Sequence, residues 1–249
     1  MTLAVHPHPS PNFNDRGGAP VDILLLHYTG MESEEAALAW LCDPRSEVSS
    51  HYFVHADGRV AALVGEECRA WHAGKGSWAG DSDVNARSIG IEIANWGHAA
   101  EEAGQPLPAF PEAQMVSLEA LCRDILARHD IAPRRVLAHS DVAPGRKRDP
   151  GELFDWARLA KAGIGHFVAP EPLASDEGAL CRGCEGAAVE RLQSLFSLYG
   201  YGIAVTGILD AKTEAVIAAF QRHFRPARVD GVADRSTLQT LQKLLWAVP

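Results

Sequence analysis

The sequence has no surplus of basic residues. Its 23 Lys and Arg stand against 32 Asp and Glu, for a formal net charge of −9. Without a basic face there is little to neutralise nucleic-acid phosphate, so a nucleic-acid partner is excluded. Long apolar runs are also missing. The longest unbroken aliphatic stretch, Ile23 to Leu26, is far too short to cross a bilayer, and no membrane partner is expected. Cysteine is scarce and odd in number: Cys42, Cys68, Cys122, Cys181 and Cys184. That count and the scattered spacing argue against a secreted disulfide framework and fit a reducing compartment. The opening residues, MTLAVHPHPSPNFNDR, lack a basic stretch followed by an apolar one. No signal peptide of the usual kind is expected there, and the plain expectation is a cytoplasmic protein. No HExxH and no paired CxxC occurs, so a metal site would have to be gathered from distant stretches of chain.

What is present is ordinary for a globular chain that can build its own core: 249 residues, 47% of them apolar and 22% charged. Residues 168–180, VAPEPLASDEGAL, have linker composition, with prolines, small residues and acids but no helical period. The expected division is a domain over 1–167 with an N-terminal arm, a linker over 168–180 and a small helical domain over 181–249.

Upstream of the linker, strand and helix patterns alternate. Val21–His27 reads as a buried strand and Ser33–Cys42 as a helix stopped by Pro44. His51–His55 and Arg59–Val64 flank the turn former Ala56-Asp57-Gly58 and predict a hairpin. Ser88–Asn95 alternates as a half-buried strand, Glu112–His129 carries an apolar helical stripe, and Arg135–His139 is a further short strand. The fold class expected is α/β, a mixed β-sheet flanked by helices, followed by a small all-α three-helix domain. In that tail Gly207-Ile208-Leu209-Asp210-Ala211-Lys212-Thr213 repeats as Gly231-Val232-Ala233-Asp234-Arg235-Ser236-Thr237, each unit opening a helix with an Asp placed to cap it.

Three residues of the first domain stand together chemically. His27 and His139 each fall at a strand end, and Asp149 sits in a loop just before Pro150-Gly151. Two neutral imidazoles and one carboxylate supply three ligands for Zn²⁺ and leave a fourth position for water, as a catalytic site requires. Each alone has a plainer explanation, a hydrogen-bonded strand-end His or a turn Asp. Glu92 alternates away from Ile91 and Ile93 and is the candidate proton carrier; the alternative is a surface Glu on a half-exposed strand. Lys147 shares the side of Asp149 if the loop is extended, where an ammonium stabilises a developing oxyanion; otherwise it is an exposed loop charge.

With those residues in place the chain resembles the zinc-dependent N-acetylmuramoyl-L-alanine amidases of the AmpD/AmiD type, which share a fold with peptidoglycan recognition proteins. The resemblance is carried by Ser10 to Arg16, Leu26-His27-Tyr28-Thr29, Ser50-His51-Tyr52, Trp71-His72-Ala73-Gly74, Asn85, Ser88 to Glu92, Ala138 to Asp141, and Gly145 to Gly151. It implies His27, His139 and Asp149 as zinc ligands, Glu92 as acid and base, and Lys147 as transition-state stabiliser. Tyr28, Tyr52, Trp71 and His72 fall in the same blocks and are expected to contact substrate, with His51 lining or supporting the cleft. The tail resembles three-helix peptidoglycan-binding domains; Cys181-x-x-Cys184 is not part of that pattern. The substrate implied is a muropeptide or anhydromuropeptide met in wall recycling, with glycan as a possible partner of the tail. Alternatives are an exported or phage-type lytic enzyme and a non-catalytic sensor of the same polymer. Inside a cell, the alternative roles for the tail are to close over the cleft or to make a dimer contact.

Overall fold

A computed structural model describes residues 3–173, 175 and 177–247. Met1, Thr2, Ala174, Asp176, Val248 and Pro249 lie outside the described residues, two of them within the expected linker. The strands are β1 (Val5–Pro7), β2 (Phe13–Asp15), β3 (Ile23–Tyr28), β4 (Tyr52–Val54), β5 (Val60–Ala62), β6 (Cys68–Ala70), β7 (Ser88–Ile93) and β8 (Val136–Ala138). The helices are α1 (Glu34–Leu41), α2 (Val84–Arg87), α3 (His98–Glu102), α4 (Glu112–Arg128), α5 (His139–Val142), α6 (Trp156–Lys161), α7 (Ala187–Tyr199), α8 (Ala211–Phe224) and α9 (Arg235–Trp246).

Six strands form one mixed sheet in the order β1-β5-β4-β7-β3-β8, and β2 pairs with β6 beside it. The hairpin β4–β5 is antiparallel as its turn sequence demands, while β3 runs parallel to both β7 and β8. β3 is central and covered on both faces, which is why Ile23 to Leu26 can be apolar without a break. On one face Leu24, Leu26, Ile89, Ile91 and Ile93 meet Leu118, Leu121, Cys122 and Ile125 of α4. Ile23 and Leu25 point the other way, toward Trp78, Val84 and Val142.

β7 departs from its expected half-exposure. Five of its six residues are buried, because the face that carries Gly90 and Glu92 looks into a packed site rather than into solvent. Cys122 is buried as a small hydrophobe, whereas Cys42 and Cys68 are half-buried.

In the tail, Asp210 and Asp234 accept from the Thr213 and Thr237 amides at 2.9 and 2.7 Å, the caps foreseen from the repeat. The repeat runs deeper than its sequence pattern. Gln193 Oε1 accepts from Thr206 N and Gly207 N, and Gln221 Oε1 accepts in the same way from Asp230 N and Gly231 N. The tail packs on the sheet face opposite α4, where Trp78 meets the rings of Tyr199 and Tyr201. Gly200 lies so close to Trp78 that a Cβ there would come within 2.7 Å of its ring.

A candidate metal centre at the carboxyl ends of the parallel strands

Strand register brings the site together. His27 pairs with Glu92 across β3 and β7. The β3–β8 register, Leu24 with Val136 and Leu26 with Ala138, continues to set His139 beside His27. Side chains alternate along a strand, so these three share one face, at the carboxyl ends of parallel strands where open α/β sheets place their ligands. Asp149 reaches the same point from the loop after α5.

The distances are tight. His27 Nδ1 and His139 Nδ1 are 2.9 Å apart, and Asp149 Oδ2 lies 3.1 Å from the first and 2.9 Å from the second. The outer nitrogens decide which tautomers are present. His139 Nε2 faces the Ala73 carbonyl at 2.9 Å, and a carbonyl only accepts, so this nitrogen carries the proton. Ser88 donates its hydroxyl to Val84 O and thus accepts from His72 Nε2 at 3.3 Å. His72 Nδ1 is then the acceptor for His27 Nε2 at 3.0 Å. Both inner Nδ1 atoms are left with bare lone pairs aimed at a carboxylate oxygen. Three lone pairs converging at this range repel one another, and a cation at their centre removes the repulsion, so the donor set fits a metal.

Burial first, and then the neighbouring His139, hold the His27 imidazole down at about 4, and burial holds His72 lower than an ordinary imidazole. Burial alone would raise the Asp149 carboxyl, but the His139 and His27 rings outweigh it and keep it well below the usual range. Glu92 goes the other way. Burial, and then the Asp149 charge, push it well above an ordinary carboxylate. Its Oε2 is buried with no hydrogen-bond partner among the described residues. Glu92 is half-buried, the most exposed residue of β7, and the cleft rather than an open surface is what it faces.

These groups open onto a cleft of about 480 Å³ whose lining includes Tyr28, Trp40, Trp71, His72, Glu92 and Lys147. All of its lining residues lie between positions 28 and 149, so the tail does not close over it. Tyr28 is held by its hydroxyl against His98 Nδ1 at 2.8 Å, and Trp71 by its indole N–H on Asn14 Oδ1 at 2.7 Å. Lys147 and Asp149 both line the cleft, but so do Arg146 and Arg148, so the loop does not alternate as an extended strand would.

Tyr52 is a correction. It pairs with Ile91, not Glu92, so its ring lies on the α4 side of the sheet, where its hydroxyl donates to Glu66 at 2.7 Å. It does not reach the cleft. His51 supports rather than lines it: Nδ1 accepts from the Gly90 amide at 2.9 Å, one layer behind His72.

Sequence reasoning passed over Arg146 and treated Gly90 and Asn85 too lightly. Arg146 Nη2 donates to the Ala73 and Lys75 carbonyls at 2.5 and 2.6 Å, which ties the loop before Asp149 to the Trp71–Gly74 segment. Asn85 Oδ1 accepts from the His72 and Ala73 amides at 3.1 and 2.8 Å. The space above Gly90 is occupied by the His72 ring, 2.5 Å from where a Cβ would stand. Asn85, Gly90 and Arg146 all fall in matching blocks, but the main partners of Arg146 are carbonyls, which leave no signature of the role it plays.

Comparison with known proteins points one way. A family profile described as N-acetylmuramoyl-L-alanine amidase matches residues 17–152, and one for a peptidoglycan binding domain matches residues 185–241. The N-acetylmuramoyl-L-alanine amidase AmiD of Escherichia coli is 37% identical over 234 residues, covering 90% of this chain and 82% of that protein. Its structure in complex with the substrate anhydro-N-acetylmuramic acid-L-Ala-D-gamma-Glu-L-Lys superposes with a TM-score of 0.77 at 34% identity, over 94% of this chain and 97% of that one. AmpDh3 of Pseudomonas aeruginosa, solved with anhydromuramic pentapeptide, gives 0.76 at 31% identity, over 96% and 95%.

Proposed function

The chain belongs to the N-acetylmuramoyl-L-alanine amidase family, and from that premise we propose how its own residues carry the reaction. It hydrolyses the amide between N-acetylmuramic acid, or its 1,6-anhydro form, and the L-alanine of peptidoglycan fragments, in cell-wall recycling. His27, His139 and Asp149 would hold a Zn²⁺ ion. The observation that carries this is the convergence of their three lone pairs, with both imidazole tautomers set by Ala73 and by the His72–Ser88 chain. Zinc in that position supplies Lewis acidity, polarising the scissile carbonyl and making water easier to ionise.

Glu92 does the proton work. A carboxyl raised toward neutrality accepts a proton from the attacking water and hands it to the departing alanine nitrogen. Its unpartnered Oε2 leaves an acceptor free for that water. Lys147 brings its ammonium to the oxyanion of the tetrahedral intermediate. Trp71 and Tyr28 form walls against which sugar and stem peptide rest.

Residues 1–167 form the catalytic unit, 168–180 the connection and 181–249 the helical module. No described helix is long and apolar enough to cross a membrane. We place the enzyme in a reducing compartment, the cytoplasm, on the odd number and scattered spacing of its five cysteines. A second reading, action on the polymer itself, is favoured by the tail, which matches a peptidoglycan binding domain.

The test is release of stem peptide from a soluble anhydromuropeptide. A chelator should abolish it and added zinc restore it. Glu92→Gln should lower kcat by about 10²–10⁴-fold while zinc still binds. Chelator-insensitive cleavage, or a Glu92→Gln enzyme at full rate, would end this reading. Faster turnover on intact sacculi than on the soluble fragment would favour the polymer.

A further inference from the structure

Asp141 is fully buried two residues beyond His139, yet both of its side-chain partners come from the tail. Tyr201 donates its hydroxyl to Oδ1 at 2.7 Å, and His223 Nδ1 lies 2.7 Å from Oδ2. Oδ2 also accepts from the backbone N–H of Ala138 at 2.8 Å. The carboxylate therefore staples the last residue of β8 to the first turn of α5, in the manner of an acid at the third helical position reaching back to the cap. His139 and Ser140 are the residues in between.

The same turn reaches a second member of the cluster. The Ser140 amide donates to the Asp149 carbonyl at 3.1 Å, and Ala143 N closes the turn on His139 O at 3.0 Å. A rotation of α5 would thus move the His139 side chain and the backbone of Asp149 together. What resists that rotation is the grip of the tail on Asp141. The grip is dry and rigid: Tyr201 is 2% and His223 3% exposed, and the Trp156 ring stacks on His223 at 3.7 Å. A buried carboxylate that lost these two donors would have to find others or turn away from Ala138.

We infer that Tyr201 and His223 are positioning residues of the active site, holding His139 and Asp149 in metal-binding geometry through Asp141, so that the helical tail is part of the catalytic apparatus. This rests on the proposed zinc site throughout and on the amidase reading for its kinetic readout, and a wild-type chain that binds no zinc refutes that site rather than the tail's grip on Asp141.

The experiment uses the full chain with Tyr201→Phe, His223→Leu and His223→Asn. Asn can present a donor where Nδ1 stands. Leu244→Ala, which opens a hole in the core beneath α9 and removes no polar partner of Asp141, controls for loss of stability. Zinc affinity is read by competition with a chromophoric chelator, and kcat and KM on a soluble anhydromuropeptide. Tyr201→Phe and His223→Leu are expected to bind zinc about tenfold more weakly, the lower end for residues that support metal ligands, and to lose kcat in step with KM unchanged. His223→Asn should recover most of both. Leu244→Ala should lose thermal stability and neither affinity nor kcat. Zinc affinity at the wild-type level in Tyr201→Phe and His223→Leu overturns the inference, as does a loss shared by Leu244→Ala in proportion to its melting temperature. A wild-type chain that binds zinc but cleaves nothing refutes the amidase reading instead, and leaves the inference to be judged on affinity.

Discussion

Replacing Gly90 by Ala tests the chain of contacts that sets the His27 tautomer. Gly90 has an ordinary strand backbone that any residue adopts, so the substitution carries no conformational penalty of its own. The obstacle is one ring. An added Cβ would lie 2.5 Å from Cγ and Nδ1 of His72, whereas non-bonded carbon atoms rest about 3.5–4.0 Å apart. The ring must retreat by about 1 Å, and it cannot do so while Nδ1 holds His27 Nε2 at 3.0 Å and Nε2 holds Ser88. Crowding of this kind costs about 1–3 kcal/mol, and loss of the partner of a metal-ligating His costs about 10–100-fold in metal affinity. Chemical denaturation gives the first number and chelator competition the second. The decisive comparison is a cycle with His72→Ala. Once the ring is gone the new methyl has room, so Gly90→Ala should add less than about 0.5 kcal/mol in that background. Wild-type zinc affinity in Gly90→Ala, or additive effects in the double variant, would refute the reasoning.

Acid should destabilise the fold through His51, whose imidazole burial, and then the Arg16 guanidinium, hold at about 3. Because the unfolded ring, near 6.5, takes the proton first, the contribution is complete above pH 6.5 and is lost as pH falls toward 3. Roughly 3 kcal/mol goes by pH 4 and about 4 by pH 3. Urea midpoints across that range should fall steeply in the wild type and less steeply in His51→Gln; parallel slopes would contradict this. Tyr52→Phe should leave kcat and KM unchanged and lose about 1 kcal/mol with the bond to Glu66, while Trp71→Ala should raise KM for the soluble fragment. A KM effect from Tyr52→Phe would put its ring back in the cleft.

The parts legible in the sequence are those where a period or a short-range partner decides the outcome. The stripe of α4 and the unbroken apolar run of β3 are burial patterns, and they are found within a residue or two of their expected places. Asp210 and Asp234 cap locally, so their roles follow from spacing alone. β1 and β2 were not foreseen, because three-residue exposed strands have no alternation to read, and Pro7 suits only an edge. Tyr52 shows the limit most clearly. Its own strand was correctly expected, but which face it takes depends on whether β4 meets β7 at Ile91 or at Glu92. A shift of one residue would exchange the two outcomes, and nothing within β4 specifies it. Arg146 was hidden for a related reason, since its partners are carbonyls brought near by the fold.

The tail raises a different question, whether linker composition marks a mechanical boundary. The described residues of 168–180 belong to no named strand or helix, as their composition suggests. Yet Trp78, Val84, Leu137 and Val142 before that stretch share one apolar cluster with Phe196, Tyr201, Phe220 and Phe224 after it. A tethered module that samples positions independently would have to expose that surface at every excursion, and surface of this kind returns to water at about 25 cal/mol per Å². Trp78 alone, 1% exposed, would lose its ring contacts with Tyr199 and Tyr201. Removing the tail is thus no neutral truncation: it opens an apolar face and leaves Asp141 without its two side-chain donors. Composition locates where the chain is free of regular structure. Whether the pieces move apart is decided by what they bury against each other, and here they bury a tryptophan and a carboxylate.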